Sequence, residues 1–138
     1  MKIKALKYSY SFLIIIVLFS VVLMNANPPA DDVVKEITKS ISDMDSKKLA
    51  DYFSDAISLE LDNSSGNYSK SQAEIILRDF FKDNPVQSFT INHQGDSKDG
   101  SRYFIGTYKT ATKKFRVYGL LKKETDNLFL QQLQFDEE

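Results

Sequence analysis

The sequence predicts an α+β domain in which an antiparallel sheet packs on one main helix. Three observations predict it. Between Ser69 and Lys82, Ala73, Ile76, Leu77, Phe80 and Phe81 recur at helical spacing and form one apolar stripe. Beyond Pro85 the period falls to two, in four runs at about Ser88–Gln94, Arg102–Thr110, Lys114–Glu124 and Leu128–Phe135. The length of 138 residues fits a single domain.

The chain opens on a leader. Lys2, Lys4 and Lys7 precede a nearly unbroken run of Leu, Ile, Val and Phe from Phe12 to Met24, and Asn25-Ala26-Asn27-Pro28-Pro29 follows. A positive start, an apolar stretch and a small residue describe a secretory signal peptide spanning residues 1–26, cut after Ala26. The alternative is an uncleaved anchor over residues 8–24, near the lower length limit for spanning a bilayer. In both cases the lysines hold the N-terminus in the cytoplasm, so the domain is exported, periplasmic or secreted. Pro28-Pro29 stiffens a spacer at 27–30, and the domain is expected over 31–138.

Asp31 and Asp32 can cap a helix in which Val33, Val34, Ile37, Ile41 and Met44 share one face. Asp45 or Ser46 caps a second short helix, Lys47 to Phe53. Such a hairpin cannot bury its apolar face alone and must rest on the sheet. Ile57 to Leu61 alternates as a strand, and Asp62 to Asn67 reads as a turn. Asn63-Ser64-Ser65 and Asn67-Tyr68-Ser69 match the N-glycosylation pattern, which matters only in a source that glycosylates this way. Ser69 and Gln72 complete a capping box, and Pro85 ends the main helix. Ile75 and Asp79 fall opposite the stripe and are expected in solvent.

A register follows from the turns. A turn centred on Lys98 sets His93 opposite Tyr103, and a two-residue turn at Thr112-Lys113 sets Lys109 opposite Arg116 and Gly106 opposite Gly119. The paired glycines are read as a bend that curls the sheet. One face then carries Phe89, Ile91, His93, Tyr103, Ile105 and Thr107, with Arg116, Tyr118 and Leu120 beside them on the next strand. The other carries Phe104, Tyr108, Phe115, Val117 and Leu121. The first of these is expected to be the concave, ligand-facing side. His93 and Arg116 stand about six residues apart, or roughly 20 Å, too far to share one small substrate.

Composition closes several routes. The chain has no cysteine and one histidine, so neither a thiolate site nor a histidine-built metal cluster is available. No metal site and no cofactor are expected. Without Lys2, Lys4 and Lys7 the 18 basic residues become 15, against 19 acidic, a net of −4. A mildly acidic domain without a basic stripe is a poor nucleic-acid binder. His93 has no Asp or Glu on its face to orient it, Asp96 and Asp99 being turn formers, so no catalytic residue is assigned. Lys122-Lys123-Glu124 reads as a strand edge that needs no ligand.

The order helix, helix, strand, helix, four strands resembles the cone-shaped fold of the nuclear transport factor 2-like (cystatin-like) superfamily. More closely, the chain resembles a family of small exported bacterial proteins of unknown function within it. Tyr68-Ser69-Lys70-Ser71-Gln72-Ala73-Glu74, Asp79-Phe80-Phe81, His93-Gln94-Gly95, Ser97-Lys98-Asp99-Gly100-Ser101, Phe115-Arg116-Val117-Tyr118 and Gln131-Gln132-Leu133 carry the resemblance. It implies a curved sheet wrapped on a long helix, with room for a pocket, and export. It supplies no catalytic residue. Enzymes of the superfamily place acid–base residues inside the cone, and this chain lacks an evident Asp–His pair there.

The reading is therefore an exported, non-enzymatic module that binds a protein partner or a small apolar ligand, with His93, Tyr103, Thr107, Tyr118 and Phe80 as candidate ligand contacts. A cofactor-free isomerase or dehydratase using the cone, and a self-associating unit such as a homodimer, are the alternatives. Membrane contact is expected only through the leader.

Overall fold

The computed structural model describes residues 30–138. The leader, its cut after Ala26 and the spacer up to Pro29 lie outside the described residues. Ala30 already belongs to the first helix, α1 (Ala30–Ser42), which is followed by α2 (Ser46–Ala50), β1 (Phe53–Leu61), β2 (Ser64–Ser69) and α3 (Lys70–Asp83). Four strands complete the chain: β3 (Ser88–Asp96), β4 (Arg102–Lys109), β5 (Lys114–Glu124) and β6 (Asn127–Glu137). No described helix is long and apolar enough to cross a membrane.

The six strands form one sheet in the order β2-β1-β6-β5-β4-β3. The pairing is antiparallel except between β1 and β6, which run parallel. Bulges interrupt the ladders between Ile91 and His93 and between Leu120 and Leu121. A bulge adds twist and bends its strand, so these breaks curl the sheet around α3.

Two of the expected caps are in place, whereas Asp31 and Asp32, expected to cap the first helix, lie inside the first turn of α1, which starts at Ala30. Asp45 accepts from the Lys48 amide at 2.9 Å and starts α2. Ser69 and Gln72 satisfy each other's backbone amides at the head of α3, a complete capping box. At the end of α1 the Asp45 amide donates to the Ser40 carbonyl and the Met44 amide to Ile41, which places Met44 at a left-handed φ of 54°.

Other element boundaries also differ from expectation. The second helix stops at Ala50, and Phe53 is instead the first residue of β1. Phe53 is fully buried there. The expected turn after Asp62 contains a strand, because Ser64 to Ser69 pairs with Leu61 to Ala56. Its sequence is polar apart from Tyr68, which packs half-buried on the core, and its pairing with β1 makes it a strand.

The register also differs. β4 and β5 turn at Ala111-Thr112, one residue earlier than expected, with the Thr110 amide donating to Lys113 O at 2.9 Å. The Thr110 hydroxyl accepts from the Lys113 amide at 2.9 Å and fixes that turn. Lys109 therefore faces Lys114, and Arg116 faces Thr107. This shift of two residues preserves faces. Gly106 does not face Gly119 but Val117, and Gly119 faces Phe104. On β3 the bulge at Asn92 moves Phe89 and Ile91 to the other face, opposite Tyr108 and Gly106, and sets His93 opposite Ile105 rather than Tyr103.

The face that packs on the helices is the one carrying Phe104, Tyr108, Phe115, Val117 and Leu121, all without exposed surface. Ala73, Leu77, Phe80 and Phe81 of α3 are buried against it. Asp79 and Ile75 are exposed, as the helical spacing predicts.

Candidate functional site

The interior of the cone is filled. The Phe80 ring lies 4.7 Å from Phe135 and 5.4 Å from Phe115, and Phe81 stacks on Tyr108 at 6.2 Å. These edge, tilted and stacked contacts leave the helix and sheet joined by aromatic rings. The Tyr108 hydroxyl donates to the Asn84 carbonyl at 2.6 Å, tying the end of α3 to β4, and burial pushes its phenol pKa up.

This filling separates the sequence-derived candidates. His93, Tyr103, Thr107 and Tyr118 lie on the outer face, while Phe80 lies in the core on the other side of the sheet. The face expected to be concave thus turns away from the helices, a correction to the predicted ligand-facing side. Two of the candidates do meet: His93 Nε2 and the Tyr103 hydroxyl are 2.8 Å apart, with the Tyr103 ring laid over Gly95. Thr107 accepts from the Asn92 side chain at 2.7 Å. Tyr118 stands between Ile105 and Gln134. Register places His93 and Arg116 only about 7 Å apart along the strands and about 10 Å across them, nearer than the expected 20 Å. No described hydrogen bond or ion pair joins His93 to a carboxylate.

A cleft of about 480 Å³ lies elsewhere, at the end of the sheet beside the start of α1, and Phe80 lines a second one of about 350 Å³ between α3 and the β1–β2 turn. α1 supplies Ala30 and Val33 to the larger cleft, and the corner between α2 and β1 supplies Asp51 and Tyr52. The β3–β4 turn contributes Gly100, at φ 83°. The β5–β6 hairpin supplies Lys123, Asp126 and Asn127 at the rim and Leu128 and Phe129 deeper. The floor is apolar and the rim is charged.

Several elements fix this cleft. Arg102, only 11% exposed, pairs with Asp96 through Nη2 at 2.8 Å and with Asp31 in the first turn of α1. One guanidinium thus holds the helix start against the β3–β4 end, and both carboxylates raise its pKa. Asp96 is thereby more than a turn former, whereas Asp99 is one, accepting from the Ser101 hydroxyl and amide. Glu124 accepts from Ser54 at 2.6 Å and from Gln131 at 3.2 Å, so the hairpin base is tied to β1. Those two donors hold the Glu124 carboxyl below its ordinary range. Burial pushes the Tyr52 phenol up, with a smaller contribution from Glu36, so the phenol that lines the cleft is a neutral donor. Thr125, at the hairpin tip, has a φ of 58°, an uncommon value for a β-branched residue.

None of the five sequence candidates lines this cleft. One signal points there: Leu128-Phe129-Leu130 places apolar side chains on both faces of a strand, and Phe129, on the face opposite the core residue Leu130, lines the cleft with Leu128.

The architecture, a curved six-stranded sheet with helices on one face, is that of the nuclear transport factor 2-like and cystatin-like proteins. An uncharacterised cystatin-fold protein from Novosphingobium aromaticivorans has a TM-score of 0.60 at 13% identity, over 75% of this chain and 94% of that one. Residues 34–136 match the model of a domain of unknown function, DUF4783, and the chain belongs to that family. A DUF4783 protein from Bacteroides uniformis is 30% identical with a TM-score of 0.71, over 75% of this chain and 95% of that one. One from Bacteroides ovatus is 29% identical with the same TM-score, over 81% and 96%. No curated protein sequence matches the chain.

Proposed function

We propose that this protein is an exported, non-enzymatic binding module whose ligand site is the cleft between α1 and the β5–β6 hairpin. The observation that carries the reading is the contrast between a cone interior packed with rings and a cleft of about 480 Å³ with an apolar floor. That volume suits a small molecule. Val33, Tyr52, Leu128 and Phe129 supply the apolar contact, and the neutral Tyr52 phenol can fix an orientation. The non-enzymatic part is supported by the position of the single histidine, on the outer face and bonded to Tyr103 rather than in the cleft. Export is supported by the leader sequence.

The chain lacks tryptophan, so the fluorescence of indole, a neutral apolar probe, can be followed directly. Indole should bind saturably, and Ala30→Phe, which fills the cleft, should abolish binding while Tyr118→Ala leaves it unchanged. Binding lost in Tyr118→Ala and kept in Ala30→Phe would overturn the reading.

A second reading, a homodimer through the outer face, is favoured by the half-buried Tyr103, Ile105, Tyr118 and Leu120 there. A monomer at high concentration in sedimentation would remove it.

A further inference from the structure

The rim of the cleft is not neutral. Asp51, Asp126 and Lys123 line it, and among the described residues none of the three forms an ion pair. Of the neighbouring groups that do not line the cleft, Asp31 and Asp96 are engaged by Arg102, Glu36 by Lys48, and Glu124 by Ser54 and Gln131. The rim therefore presents two carboxylates against one ammonium, above a floor of Val33, Tyr52, Leu128 and Phe129. The amides at the start of α1 add partial positive charge, about half an elementary charge, but Asp31 and Asp32 in the first turn offset it.

We infer that the cleft selects a small amphiphile with an apolar or aromatic body and a cationic amine head, the head meeting Asp51 and Asp126. The inference rests on the cleft being the binding site. It adds the charge of the ligand. An anionic head would meet two like charges for one opposite one. A cationic head reverses that balance and leaves the rim neutral. These groups are solvated, so the discrimination is modest and falls as salt rises.

Three probes share the indole body and differ in charge: tryptamine, tryptophan and indole-3-propionate. Titrated at low salt, tryptamine should bind roughly fivefold more tightly than indole-3-propionate, with tryptophan between them, as expected for exposed ion pairs. The double variant Asp51→Asn, Asp126→Asn, which leaves Lys123 alone on the rim, should reverse the preference without removing binding of neutral indole. Lys123→Gln should enlarge it. Equal binding of tryptamine and indole-3-propionate, or a preference unmoved in the double Asn variant, would overturn the inference and leave the cleft reading standing. Failure of neutral indole itself to bind would instead remove the cleft reading.

Discussion

The Phe104 ring lies directly over the backbone of its cross-strand partner Gly119, so that a β-carbon at position 119 would sit 2.2 Å from Phe104 Cζ. The conformation of Gly119 is open to any residue. Its lack of a side chain is what the core requires, because Phe104 fills the space. Gly119→Ala should therefore destabilise the fold by about 1–3 kcal/mol, the usual cost of overpacking. Phe104→Leu in the same chain should recover part of that loss, measured as a double-mutant cycle in denaturant unfolding. Additive losses would show that the contact is not the cause.

Met44 occupies the left-handed position that ends α1, at φ 54°. A side chain there costs about 1 kcal/mol relative to glycine. Truncation would remove a weak interaction, the Val86 amide donating to Met44 Sδ at 3.5 Å, together with the packing of a side chain that is 40% exposed. Met44→Gly should raise the midpoint of chemical unfolding without changing its slope. A lowered midpoint would mean that the methionine packs more than its 40% exposure implies.

Three carboxyls give the acid dependence its sign. Hydrogen bonds from Ser54 to Glu124, from Arg102 to Asp96 and from Ser101 to Asp99 each lower the folded pKa from ordinary values of 4.5, 3.8 and 3.8. A lowered folded pKa means that the stabilisation is complete above the unfolded value and is lost as pH falls through the folded one. Thermal stability should thus decline on acidification below about pH 4.5. Glu124→Gln should be less stable than the parent at neutral pH and lose less on acidification. Parallel pH profiles for the two would contradict the assignment.

Much of this architecture is legible in the sequence because local chemistry agrees with the fold. The Ser69–Gln72 box, Asp45 and the Ala73–Phe81 stripe each act within a turn or two, and each is where the spacing puts it. What is not legible is long-range. Alternation separates Phe104, Tyr108 and Phe115 from Tyr103, Ile105 and Tyr118, but both sets are apolar, and alternation does not say which set meets the helix. The charges do hold that information. Lys109, Arg116, Lys122 and His93 all stand with the second set, which marks it as the wet face. The bulge at Asn92 has no local signature, and it moves Phe89 and Ile91 across the sheet. The cleft is hidden for a related reason. Ala30, Tyr52, Gly100 and Phe129 come from four separate elements, and only the closed fold joins them.

The most direct test of the cleft as the binding site is a map of backbone amide shifts in the protein titrated with indole. The account predicts shifts concentrated at Val33, Tyr52, Gly100, Leu128 and Phe129, with Tyr103, Thr107 and Tyr118 unmoved. Shifts centred instead on Tyr103 and Tyr118 would place recognition on the outer face of the sheet and contradict it.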